Sequence, residues 1–254
     1  MRQMKVNPKS ISIAAMALLF MHCGSNAPAS EAADGSGFVS IFNGKNLDGW
    51  DGDTAYWRVE NGILTGEITP EKPLSRNTFI IWKGGQPADF ELKTQFRITA
   101  DGNSGINYRS EIVPNEPHAL RGYQADIDAA RAYLGQNYDE YARTTLAYRG
   151  QRVTVPASGA DLKAGIKNNA WAPVQVTGTL GSDASLKSVY KPDEWNEYRV
   201  VATGNNLQHF VNGTLLSEVT DADTANRKLK GWLGLQVHVG PPMKVEFRDI
   251  LLKQ

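Results

Sequence analysis

From Phe38 onward the sequence alternates with a period of two, and this constrains the fold more than any other feature. Phe90, Leu92, Thr94, Phe96 and Ile98 are interleaved with Glu91, Lys93, Gln95 and Arg97, which is the pattern of a strand with one buried and one wet face. Tyr198, Val200 and Ala202 alternate with Glu197, Arg199 and Thr203 in the same way. Leu207, His209 and Val211 lead into Asn212-Gly213 and then Leu215. Asn-Gly between apolar runs is a hairpin signal, because both turn positions take positive φ. Trp232 to His238, a break at Gly240-Pro241-Pro242 and a last strand through Val245 and Phe247 follow. Turn residues at short intervals predict an antiparallel sandwich rather than alternating strands and helices. Tyr133 to Tyr190 shows no sustained alternation. It reads as long loops on the sandwich, with short helical turns allowed in Ala129 to Tyr141 and Ala160 to Asn169.

Composition narrows the function. The 254 residues suit one large β domain. Lys plus Arg and Asp plus Glu both number 27, and without a basic cluster a nucleic-acid footprint is excluded. A single cysteine rules out a disulfide framework and any zinc site built from several thiolates. Arg2, Lys5 and Lys9 precede the apolar run Ile11 to Met21, so residues 1–29 read as an export leader and the start of a tether. Residues 30–37 read as a flexible linker, and 38–254 as the folded domain. The leader carries three basic residues and no acidic one, so its removal leaves 24 positive against 27 negative side chains. Cys23 directly follows the apolar run and precedes Gly24-Ser25. It is the candidate lipidation site of a periplasmic or outer-membrane lipoprotein, although His22 stands where a small residue is usual. Ala27-Pro28-Ala29 offers ordinary cleavage before Ser30 instead.

Polar groups able to do chemistry cluster in three segments: Asn103 to Glu111, Gly122 to Asp128 with Tyr138-Asp139-Glu140 and Arg143 beyond it, and Leu235 to His238. Residues two apart on a strand share a face, so Gln124, Asp126 and Asp128 project together, as do Gln236 and His238. Adjacent carboxylates are tolerated mainly where a cation, a substrate or a raised pKa resolves the repulsion. Plainer readings stand beside these. Asp126 and Asp128 could line the wet face of an edge strand, Asn103-Ser104-Gly105 could be a turn, and His238 could be a hydrogen-bonded structural residue. Trp57, Trp82 or Trp171 could form a sugar-stacking platform.

Seven segments in order resemble the 3-keto-disaccharide hydrolase family, over about residues 38 to 253. They are Phe42 to Trp50, Asn103 to Ile106, Gly122 to Ile127, Tyr138 to Glu140, Trp195 to Arg199, Val211 to Gly213, and Gly234 to His238 with Phe247 to Ile250. The resemblance implies an all-β, concanavalin A-like jelly-roll sandwich of two antiparallel sheets with long loops. It also implies an exported enzyme acting on 3-keto-disaccharides or 3-keto-glucosides, with a sugar 3-oxidoreductase upstream to supply them. Leu146 to Tyr190 is longer than the family needs, and Arg131-Ala132-Tyr133 lacks the Gly- and Trp-rich character expected there.

A carbonyl at carbon 3 acidifies the carbon-2 proton, so base removal, expulsion of the aglycone and addition of water would amount to hydrolysis. Asp126, Asp128, Glu140, His238 and Arg109 are the catalytic candidates. Either a carboxylate or His238 would be the base. Arg109, or a divalent metal held by Asp126, Asp128 and Glu140, would hold the enolate. Asn103, Ser104, Tyr108, Tyr123, Gln124 and Gln236 are the candidate sugar contacts. Two-carboxylate glycoside hydrolysis and a non-catalytic, lectin-like carbohydrate-binding module remain the alternatives.

Overall fold

Strict alternation is borne out first in Phe90–Ile98, whose buried and half-buried residues alternate without a break. Its backbone N–H and C=O groups find partners on both sides, because the strand pairs antiparallel with Asn196–Thr203 and Met243–Lys253. The Asn-Gly hairpin joins Asn206–Val211 to Thr214–Asp221, with φ of +48° at Asn212 and +79° at Gly213. These are the values that a type I′ turn demands.

The computed structural model describes residues 36–159 and 161–254. The leader, Cys23 and most of the linker lie outside the described residues. One sheet runs in the order Gln175–Thr179, Gln151–Val155, Thr214–Asp221, Asn206–Val211, Asn196–Thr203, Phe90–Ile98, Met243–Lys253, Ile63–Ile68 and Trp57–Glu60, with Val39–Ser40 also paired to Met243–Lys253. The other runs Ile166–Lys167, Ala170–Trp171, Thr144–Ala147, Asn137–Glu140, Leu120–Asp128, Asn103–Ile112, Trp232–Val237, Thr78–Trp82 and Trp50–Asp51. Among the described residues two pairings are parallel, Thr144–Ala147 with Ala170–Trp171 and Gln151–Val155 with Thr214–Asp221. The fold is a concanavalin A-like jelly roll. Its core sets Leu64, Phe96, Tyr198 and Phe247 of the first sheet against Tyr108, Tyr123, Ala125 and Ile127 of the second.

Two expectations fail here. Leu120–Asp128 is no edge strand: it lies between Asn103–Ile112 and Asn137–Glu140 and is buried on both faces. Asn103-Ser104-Gly105 is no turn, because it begins a ten-residue strand. Gly105 pairs with Asp126, and a Cβ on it would come within 2.6 Å of the Gln124 side chain, so close approach rather than chain reversal calls for glycine.

Tyr133 to Tyr190 holds more structure than long loops. Asn137–Glu140, Thr144–Ala147, Gln151–Val155 and Gln175–Thr179 widen both sheets. The helix Leu162–Gly165 falls where a turn was expected, while Asp183–Lys187, capped by Ser182, is an addition. Asn137–Glu140 escapes the periodicity test because Asn137, Asp139 and Glu140 are polar yet buried.

Candidate active site

Strand register decides which side chains meet. Along Asn103–Ile112, residues Asn103, Gly105 and Asn107 stand opposite Asp128, Asp126 and Gln124. Gly234 pairs with Asn107 from the other side, which sets Gln236, and His238 beyond the strand's end, on the same face. Tyr138 pairs with Gln124 and Glu140 with Gly122. The face so assembled floors a cavity of about 300 Å³ lined by Asn77, Asn103, Gln124, Asp126, Tyr133, Gln136, Tyr138, Glu140, Asn169 and His238. That volume sits at the small end of ligand sites. Among the described residues, neither Lys nor Arg lines it.

Asp126 is the centre of the cluster. Its Oδ1 accepts an N–H bond from Gln124 at 2.7 Å and its Oδ2 one from Gln136 at 2.5 Å. Gln124 is itself oriented, since its Oε1 accepts from Gln236 Nε2 at 3.0 Å. Burial dominates the acidity of the carboxyl and lifts its pKa from 3.8 to about 7. The two amides pull the other way, and the charges of Glu140 and Asp128 add to the rise. Burial also raises Glu140, opposed by the Asn77 Nδ2 bond to Oε1 at 3.1 Å. The Oδ1 of Asn77 accepts the Val239 N–H at 2.9 Å, so one side chain ties Glu140 to the segment carrying His238.

His238 is held below its ordinary pKa by burial. Its Nδ1 lies 2.7 Å from the Val239 carbonyl, which can only accept, so Nδ1 carries the hydrogen and Nε2 the free lone pair. The pocket therefore combines a neutral imidazole with a basic Nε2, a carboxyl poised near neutrality, a second raised carboxyl and a wall of amides.

Of the residues singled out from sequence, Asn103, Gln124, Asp126, Glu140 and His238 converge on the cavity, and Gln236 supports it from behind. The others do not. The Asp128 carboxylate accepts the backbone N–H groups of Ala130, Ala132 and Tyr133 at 3.2, 2.6 and 2.9 Å, which makes it a loop anchor. The Arg109 guanidinium donates to the carbonyls of Ala88 and Gly204 and to Asp89, so it holds no enolate. Ser104 Oγ donates to the Gln236 carbonyl at 2.6 Å. Tyr108 and Tyr123 point into the sandwich, Tyr108 onto His209 and Tyr123 onto Asp221.

The metal set of Asp126, Asp128 and Glu140 is not assembled. Among the described residues no three His, Cys, Asp or Glu side chains are placed to hold an ion, and the Asp128 oxygens are already committed to amides. The residues therefore do not fit a metal. A stacking platform from Trp57 or Trp171 fails too, because both are buried at 1% and 3% exposure, and Trp82 packs against the core.

Sequence reasoning missed Asn77, Tyr133, Gln136 and Asn169 as pocket residues. All four lie outside the strands, so no alternation marks them. Tyr138 sat inside a quoted motif and lines the pocket, its hydroxyl donating to Asn169 Oδ1 at 3.1 Å.

The fold recurs in solved structures. A candidate glycosyl hydrolase from Parabacteroides distasonis superposes with a TM-score of 0.54 at 20% identity, covering 86% of this chain and 94% of that one. A second from the same organism gives 0.54 at 17% identity, with 85% and 98% covered. The carbohydrate-binding module CBM66 from Bacillus subtilis is more distant, at 0.49 and 14% identity over 81% and 96%. No curated protein matches the chain. The match that goes beyond fold is one of sequence family and spans residues 37–253, strands and pocket alike: the chain belongs to the 3-keto-alpha-glucoside-1,2-lyase-like domain family.

Proposed function

We propose that this chain is an exported enzyme that cleaves 3-keto-glucosides and 3-keto-disaccharides by elimination and hydration. The observation that carries the reading is Asp126: a buried carboxyl poised near neutral pH in a cavity that otherwise offers amides, two tyrosines, Glu140 and a neutral histidine. Amides suit a ligand rich in hydroxyls and a carbonyl, and the missing cation argues against an anionic one.

In this reading His238 Nε2 removes the carbon-2 proton, made acidic by the adjacent ketone. The electron pair passes through the enolate to expel the aglycone oxygen from carbon 1, and protonated Asp126 gives that oxygen its proton. The enolate oxygen is held by side-chain amide N–H groups, the only donors of that kind the wall supplies in number. Ionised Asp126 then takes a proton from water as the oxygen adds to carbon 1, and imidazolium His238, after its N–H has exchanged with solvent, gives a proton to carbon 2. The sum is glycoside plus water giving 3-keto sugar plus aglycone, with both groups reset. Glu140 adds negative charge that helps to keep the Asp126 proton in place.

The test uses a chromogenic 3-keto-glucoside and its unoxidised parent in D₂O, with and without a chelator. Release from the keto compound alone, with deuterium entering carbon 2 and no effect of the chelator, is expected. Equal release from the unoxidised glycoside, or release without exchange, would mean ordinary two-carboxylate hydrolysis. Binding of unoxidised glycans with no release from either compound would favour a binding module.

A further inference from the structure

This inference rests on the reading just given, that the pocket cleaves a glycoside. The segment from Ala129 to Gln136 passes along one side of the cavity as a strap tied at both ends. At its start Asp128 accepts three backbone N–H groups, the last of them that of Tyr133. At its end Gly135 N donates to the Asp126 carbonyl at 3.0 Å and Gln136 N to the Tyr133 carbonyl at 3.0 Å. The Gln136 carbonyl accepts from His209 Nδ1 at 3.1 Å, while its side chain reaches Asp126. Gly135 has φ of +80°, and a Cβ there would come within 2.4 Å of Leu216, so the strap is pressed onto the sandwich.

A backbone fixed at so many points presents Tyr133 in a defined place. Tyr133 lines the cavity yet leaves 50% of its surface exposed. Among the described residues the lining has no aliphatic side chain, and the other tyrosine, Tyr138, is tethered through its hydroxyl to Asn169. A pyranose carries its hydroxyls around the edge and C–H groups on its faces. The amide wall would suit the edge of the first ring, and an exposed aromatic side chain on an anchored backbone would suit the C–H face of the next.

We infer that Tyr133 is the platform for the leaving-group sugar, so that the site holds a disaccharide with its keto ring among the amides and an uncharged second pyranose on Tyr133. With two carboxyls and no Lys or Arg among the described lining residues, a uronate or phosphorylated sugar in that second position is repelled.

The experiment compares kcat/KM for a 3-keto-disaccharide with that for the methyl 3-keto-glucoside, which has no second ring. The parent prefers the disaccharide. Tyr133→Ala cuts that preference about tenfold, through KM rather than kcat, as loss of one aromatic contact would, whereas Tyr133→Phe keeps it. A preference equal in parent and Tyr133→Ala overturns the inference. Calorimetric binding of the unoxidised disaccharide against its methyl monosaccharide, read on the same three proteins, separates the two ideas. If the parent releases no sugar from any 3-keto-glycoside, the function reading fails, while weakened disaccharide binding by Tyr133→Ala still supports the platform and unchanged binding still refutes it.

Discussion

Replacing Asp126 by asparagine should make the protein more stable at alkaline pH while abolishing its activity. An unfolded aspartate loses its proton near 3.8, but burial keeps the native Asp126 protonated up to about 7. Between those values the folded chain holds one proton more than the unfolded chain, so stability falls as pH rises. The fall is absent below about 3.8 and complete above about 7. At about 1.36 kcal/mol for each pH unit, the whole span costs about 4 kcal/mol.

Asparagine cannot ionise and escapes that cost. Its oxygen keeps the Gln124 bond, and its amide meets Gln136, whose own amide turns over to present Oε1, so the hydrogen-bond count is preserved. Urea denaturation of parent and Asp126→Asn at pH 5 and pH 8.5 measures the effect. The variant's advantage should grow by about 3 kcal/mol across that interval. A gap between the two that stays constant with pH would show that native Asp126 ionises like an ordinary aspartate. It would also remove the proton store on which the proposed chemistry depends.

Arg143 is buried beneath the site, with Nε 2.6 Å from Asp139, Nη2 2.7 Å from Asp221 and Nη1 3.4 Å from Asp223. Arg143→Met strands these carboxylates and should cost about 3–5 kcal/mol in chemical denaturation at pH 7; a loss under about 1 kcal/mol would mean that the carboxyls simply take up protons. Cys23→Ala should move the protein from the membrane pellet to the soluble fraction in cell fractionation. Unchanged partitioning would favour cleavage before Ser30 instead.

What could be read from sequence follows from where strands report their neighbours. Phe90–Ile98 and the Asn212-Gly213 hairpin were legible because half of each strand is wet, and solvent writes alternation into composition. The same logic found Gln124 with Asp126. It also held the means to reject Tyr123 and Ser104, which alternate with Gln124 and Asn103 and so must face the sandwich. Arg109 misled for a different reason: its φ is +47° and the register with Leu120–Asp128 shifts between Tyr108 and Glu111. A bulge of this kind breaks the two-residue count. Asn77 and Gln136 were invisible because they reach the pocket from loops, Asn77 standing 63 residues from Glu140, its partner.

The strap has a consequence for acidity. Its last residue is also one of the two amide donors to Asp126, and those bonds favour the anion. Replacing the Gln136 side chain by an apolar one of similar size, such as Gln136→Leu, would therefore make Asp126 a weaker acid. With Gln136 in place the proton is easier to give away. The residue that anchors the end of the strap thus also supplies one of the groups that set the acid strength of Asp126.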